Sequence, residues 1–191
     1  MENEIIKVHI PTTDDPRNVV DEYKNISNDE INVLLKNKAF PYAVCMQHIS
    51  GDFNLGTVLR NCNAFNATEM FYFGGKRSWD RRSALGTHHY TKLTHIKSIE
   101  NLKQLKEKYV FIGVDNIPGS VDFTDFDYPD NCLLIFGEEG LGILPEIAEL
   151  CSAIIYIPQY GSVRSLNVGT ASGILVHDFV SKYRNKNKAC G

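Results

Sequence analysis

Along the chain, short unbroken apolar runs alternate with longer stretches in which apolar residues recur every three or four positions. Residues 42–46 (YAVCM), 70–73 (MFYF), 110–114 (VFIGV), 132–136 (CLLIF) and 153–157 (AIIYI) are of the first kind. Continuous apolar runs this short, bounded by turn residues, predict strands buried on both faces. Between them, 56–65, 98–109 and 167–183 predict helices; in the second, Ile99, Leu102 and Leu105 share one face. Pro145 suits the first turn of a further helix over 145–151. Strands alternating with helices predict an α/β fold with a mostly parallel sheet and helices on both faces.

The first forty residues break this rhythm. Their first thirty hold eight acidic residues against three basic ones. Ser27 followed by Glu30 and the apolar Ile31 reads as a capping box opening a short helix, which Pro41 would end. We read 1–40 as an acidic helical appendage with a solvated face, 41–184 as the main domain, and 185–191 as a frayed basic tail. There is no internal repeat.

Composition narrows the class. The 191 residues are 43% apolar and 23% charged, with a mean hydropathy of −0.22. No apolar run approaches the roughly 18 residues of a spanning helix. The opening MENEIIKV lacks the basic-then-apolar layout of a secretion signal, so a cytoplasmic protein is expected. The five cysteines are scattered without a CxxC pair, which fits reduced thiols and no zinc site. His88, His89 and His95 lack ligand spacing, so no metal is expected. A net charge of −3 argues against a dedicated nucleic-acid binder, since such domains carry surplus positive charge.

The candidate chemistry sits after three strands, where open α/β sheets bind ligands. After 42–46 come Asn54, a potential helix cap, Gly56, which would let backbone approach a ligand, and Arg60 farther up the helix. Taken alone these describe a capped surface helix. After 132–136 comes Gly137-Glu138-Glu139-Gly140-Leu141-Gly142. Its glycine order and paired glutamates do not suit a dinucleotide pyrophosphate. They suit a ligand bearing positive charge or hydroxyls, or a tight connection alone. After 153–157 comes Pro158 and then Ser165-Leu166-Asn167, where helix caps are expected, opening a helix rich in small residues (Gly169, Ala171, Ser172, Gly173). The loop 74–92 is locally basic: Lys76, Arg77, Arg81, Arg82 and Lys92 face only Asp80, with Trp79, His88, His89 and Tyr90 interleaved. Cations with stacking rings suit single-stranded or looped RNA, and a solvated surface loop equally.

Read together, the three strand ends resemble the three motifs of the SpoU/TrmH class of SPOUT RNA methyltransferases, which methylate a ribose 2′-hydroxyl using S-adenosylmethionine. Asn54, Gly56 and Arg60 match the first motif; Phe136 to Gly142 match the second; Ile157-Pro158 and Ser165-Leu166-Asn167-Val168 match the third. The likeness covers about 42–183 and departs at Glu138, where the class usually has asparagine. It implies a C-terminal trefoil knot, a homodimer with shared active sites, and a methyl donor lying among Val114, Gly137, Ile157 and Leu166. It further implies Arg60 at the 2′-hydroxyl, with Asn54, Glu139, Ser165 and Asn167 organising the site, and no metal. The third motif is most similar to members acting on a D-loop guanosine of tRNA. Ribosomal RNA, or a catalytically silent RNA-binding or partner-binding member of the same fold, are the alternatives.

Overall fold

The structure, a computed structural model, describes residues 14–47, 52–74, 81–138 and 140–189. Seven strands form one sheet: β1 (Phe40–Gln47), β2 (Ala67–Phe73), β3 (Leu93–Ile96), β4 (Val110–Val114), β5 (Val121–Asp122), β6 (Cys132–Phe136) and β7 (Ala153–Tyr156). Among the described residues, five α-helices accompany them: α1 (Asn28–Asn37), α2 (Asp52–Ala64), α3 (Ile99–Gln104), α4 (Pro145–Ala148) and α5 (Val168–Ala189). The sheet order is β3-β2-β1-β6-β4-β7-β5, and every pairing is parallel.

The strands alternate side chains between two cores, as the two-residue period of a pleated strand requires. Tyr42, Val44, Met46, Leu134 and Phe136 face one core with Val58, Leu59 and Cys62 of α2 and Leu175, Val176 and Phe179 of α5. Ala43, Cys45, Leu133 and Ile135 face the other with Leu102 of α3 and Ile147 of α4. β1 and β6 are therefore buried on both faces, which is why their sequences are unbroken apolar runs. Truncating a side chain here, such as Leu134 to alanine, should cost about 2–5 kcal/mol.

Several boundaries differ from the sequence reading. α1 ends at Asn37, and Pro41 lies inside β1. α2 begins at Asp52, so Asn54 lies within its first turn and is not its cap. The predicted helix over 98–109 stops at Gln104 and tightens into a 3₁₀ turn over Leu105–Glu107. The helix predicted over 145–151 covers only Pro145–Ala148. α5 continues to Ala189, so the basic residues 184–188 are helical, not frayed. The polar edge strand β3 and the two-residue β5 carry no apolar run and were not anticipated.

The capping box is present: the Glu30 amide donates to Ser27 Oγ (3.2 Å) while Glu30 Oε2 accepts from the Ser27 amide (2.9 Å). α1 is joined to the sheet layer by buried Ile31 and by hydrogen bonds from Asn66 Nδ2 to the Leu35 carbonyl (3.0 Å) and from Asn32 Nδ2 to the His89 carbonyl (3.1 Å). Among the described residues, no helix is long and apolar enough to cross a membrane.

Candidate active site

Because all strands run the same way, the C-terminal ends of β1, β4, β6 and β7 lie along one edge of the sheet. A cavity of about 550 Å³ lies there. That is within the roughly 300–1,000 Å³ of small-molecule sites. Val114, Phe136, Ile157 and Leu166 give it apolar walls; Asp115, Glu138, Gln159 and Arg164 bring polar groups; Gly137, Ser165 and Asn167 complete the rim. All four residues expected to surround the methyl donor thus border one space.

The turn after β6 is built by backbone contact. Glu138 and Gly142 exchange two amide-to-carbonyl hydrogen bonds, each 2.9 Å. A Cβ on Gly137 would fall 2.5 Å from the Ile143 amide nitrogen and closer still to Gly142. No side chain fits there. Gly142 has φ +73°, and a Cβ on it would strike the Asp115 carboxylate. Asp115 Oδ2 in turn accepts from the Ile143 amide at 2.7 Å, fixing the turn after β6 to the end of β4. Gln47 at the end of β1 holds the next amide, Leu144, at 2.9 Å. Neither Asp115 nor Gln47 was singled out from sequence; Asp115, standing directly behind an apolar run, was the available signal.

The third strand end is organised by Asn167. Its Oδ1 accepts from the amides of Gly169 (2.9 Å) and Thr170 (3.3 Å), making it the N-cap of α5. Its Nδ2 donates to Asn54 Oδ1 at 2.9 Å. The first and third motifs, 113 residues apart, therefore meet in one hydrogen bond. Ser165 lies exposed on the cavity wall and does not cap the helix. A second tie joins the same two helices: Asn61 Nδ2 donates to the Gly169 carbonyl (2.8 Å) and Ser172 Oγ (2.9 Å). The small residues of α5 allow this approach, since a Cβ on Gly169 would lie 2.8 Å from Thr57 Cγ2.

Arg60 stands exposed on α2 and is not part of the cavity wall; it shares with Asn54 the helix tethered to Asn167. Gly56 admits neighbouring protein backbone, not a ligand: a Cβ there would meet Ser83 and, at 2.8 Å, the Ala84 amide nitrogen. Glu139 lies outside the described residues, as do Lys76, Arg77, Trp79 and Asp80 of the basic loop. Of that loop's other cations, Arg81 and Arg82 are exposed on a 3₁₀ turn packed against α2. Lys92 is ion-paired with Glu69 at 2.8 Å.

These three strand ends match a known family model, described as "SpoU rRNA Methylase family", over residues 41–177. The chain belongs to the SpoU family. This is a family of S-adenosylmethionine-dependent RNA 2′-O-methyltransferases, so the protein is an enzyme of methyl transfer. A curated relative from Aquifex aeolicus, named tRNA (guanosine(18)-2′-O)-methyltransferase, is 25% identical over 150 residues, which cover 76% of this chain and 71% of the relative. The crystal structure of the A. aeolicus TrmH/SpoU tRNA modifying enzyme superposes with a TM-score of 0.75 at 24% identity, over 84% of each chain. An AdoMet-bound rRNA methyltransferase from Sinorhizobium meliloti superposes with a TM-score of 0.67 at 24% identity, over 76% of this chain and 59% of that one. At these identities the two structures establish the SpoU fold.

The SpoU cavity fits such a donor on its own terms. Gln159 Oε1 is buried without a hydrogen-bond partner among the described residues, an acceptor available to an amino group. The apolar walls suit a flat base, and the carboxylates of Asp115 and Glu138 suit hydroxyls and a cation.

Proposed function

We propose that this chain methylates a ribose 2′-hydroxyl of tRNA, on a D-loop guanosine. The observation that carries the reading is the hydrogen bond from Asn167 to Asn54, which joins the helix bearing Arg60 to the rim of the cavity. The names of the A. aeolicus relative and its TrmH/SpoU counterpart support tRNA as the substrate.

Bound S-adenosylmethionine would supply an electrophilic methyl group on a sulfonium. Val114, Gly137, Ile157 and Leu166 would hold this donor, largely through backbone and apolar contacts. The residues then have to place the ribose oxygen in line with the methyl, and positioning of this kind contributes much of the rate. Arg60 does this together with an RNA phosphate, orienting the hydroxyl and steadying the developing alkoxide. It does not act as a base, because a guanidinium hardly deprotonates in proteins. Asn54, Ser165, Asn167 and Glu139 organise the surrounding groups.

The same reading takes 1–40 as an appendage to a catalytic domain over 41–184, with 185–191 as a basic tail. It takes the chain after β6 as threaded into a trefoil knot, two copies as the working unit with shared sites, and the cytoplasm as the place of action. The placement of β6 between β1 and β4, and the close contact of α2 with the small-residue face of α5, support the knot.

Incubation with labelled S-adenosylmethionine and bulk tRNA, then alkaline hydrolysis, tests the reaction. The expected product is a labelled, alkali-resistant dinucleotide, since a methylated 2′-oxygen cannot attack the adjacent phosphate. Label without that dinucleotide would mean base methylation. In a parallel incubation with ribosomal RNA, label there and none in tRNA would overturn the substrate, and no label in either would overturn catalysis.

A further inference from the structure

A second, larger cavity of about 760 Å³ lies at the opposite end of the sheet. Ala39, Ala67, Lys92 and Lys108 border it, each standing at or just before the start of a strand, and α1 closes the other side with Asn32 and Lys36. β2 spans seven residues. At about 3.3 Å per residue this puts the groove some 20 Å or more from the donor cavity.

The groove is basic in a chain that is acidic overall. Glu69, with a side chain 7% exposed, is its one carboxylate among the described lining residues, and both its oxygens are taken. Lys92 Nζ reaches Oε2 at 2.8 Å, while Lys108 Nζ and the Tyr109 hydroxyl reach Oε1 at 2.6 and 2.8 Å. The two lysine side chains remain 70% and 60% exposed, so each ammonium keeps donors turned to solvent. With exposed Lys36, the groove holds three cations against one carboxylate, a surplus of two positive charges. His89 and Tyr90 add rings to its wall. That wall is held in place: the Tyr90 hydroxyl donates to Asn28 Oδ1 (3.2 Å) and Asn32 holds the His89 carbonyl. Cations fixed beside stacking rings recognise the phosphates and bases of RNA.

We propose that this groove between α1 and the starts of β2, β3 and β4 is a docking site for the sugar–phosphate backbone of the RNA substrate, away from the nucleotide that is methylated. The proposal rests on the reading of the enzyme as acting on RNA. The exposed Arg81 and Arg82 stand on a turn packed against α2, the helix that carries Arg60. A folded RNA spans such a distance and a short oligonucleotide does not. The groove therefore acts on affinity for long RNA and leaves the chemical step alone.

The test uses the full chain with Lys36→Gln, the double variant Lys36→Gln/Lys92→Gln, and Lys103→Gln on α3 as the control charge-matched to Lys36→Gln. Methyl transfer is measured with whole tRNA and with a short fragment containing the target, and tRNA binding is titrated against salt. For the double variant, KM for whole tRNA should rise on the order of tenfold, with the salt slope shallower by about 0.7–0.9 per lost phosphate contact. Its kcat, donor binding and activity on the fragment should equal those of the parent and of Lys103→Gln. An unchanged KM and slope, or an equal effect from Lys103→Gln, would overturn the groove while leaving RNA methylation intact. If the parent neither binds nor methylates RNA, the functional reading itself fails and the groove with it.

Discussion

Asn167 holds two jobs that a pair of substitutions separates. As N-cap it accepts from the amides of Gly169 and Thr170, and as a donor it reaches Asn54. Alanine removes both. Loss of an asparagine cap costs about 1 kcal/mol. Loss of the amide pair costs about 0.5 kcal/mol, the low end for a hydrogen bond, because Asn167 is exposed. The total of about 1.5 kcal/mol corresponds to a Tm lower by roughly 3–6 °C for a chain of this length. Aspartate keeps the acceptor, and its charge faces the positive end of the α5 dipole, a gain of about 0.3–1 kcal/mol. It loses the donor. Asn167→Asp should therefore melt within about 2 °C of the parent, yet transfer methyl more slowly, since the tether to Asn54 is altered. Urea unfolding at fixed protein concentration, with an unchanged m-value, gives the free energies. If Asn167→Asp were as destabilised as Asn167→Ala, the cap would not be what Asn167 contributes. If Asn167→Ala lost under about 0.5 kcal/mol, neither contact would matter to the fold.

Arg60→Ala should lower methyl transfer by on the order of 10²-fold or more while leaving donor affinity unchanged in equilibrium dialysis, because Arg60 does not border the cavity. Gly137→Ala should abolish measurable donor binding, since the added methyl meets backbone at Ile143 and Gly142 and the turn must shift; near-normal affinity would show that the turn does not shape the site. Burial alone pushes the Glu69 carboxyl up, but hydrogen bonds from Lys108, Lys92 and Tyr109 outweigh it and hold it below the ordinary 4.5. Its stabilisation is then full above that value and lost as pH falls through the lowered one, so the stability gap between the parent and Glu69→Gln should be constant above about pH 5 and close in acid. Burial raises the thiols of Cys45, Cys62 and Cys132, and that of Cys151 to about 11, so a thiol reagent should label the first three only on unfolding.

Of the five strands visible from sequence, β1, β2, β4 and β6 have side chains that meet a core on both faces, and β7 turns Ala153 and Ile155 into one of them. Val110–Val114 and Cys132–Phe136 coincide with β4 and β6 because nothing polar interrupts a doubly covered strand. β3 escaped because a four-residue edge strand reading LTHI offers each core a single apolar side chain, Leu93 to one and Ile96 to the other, with a polar pair between them, and β5 because two residues hold no period. Asn54 was misread as a cap for a related reason. The rule that places a polar residue before the first apolar turn assumes a helix starting there, whereas α2 starts two residues earlier.

The site was legible in its parts and not in its assembly. Gly137, Ile157 and Leu166 follow strands, so any parallel sheet brings them to one edge, and the cavity follows from topology. The bond from Asn167 to Asn54 and that from Asn61 to Gly169 span more than a hundred residues, and no local pattern encodes them. Charge shows the same division. Lys92 counted as one of five cations in a basic loop, and its partner Glu69 sat unnoticed in an apolar strand. Pairing in three dimensions offsets that glutamate and leaves a surplus of two positive charges among Lys36, Lys92 and Lys108 around one groove. A net charge of −3 therefore argues nothing against an RNA enzyme: phosphates meet the local surplus around a groove, and the acidic residues of 1–30 are counted in the sum without belonging to it.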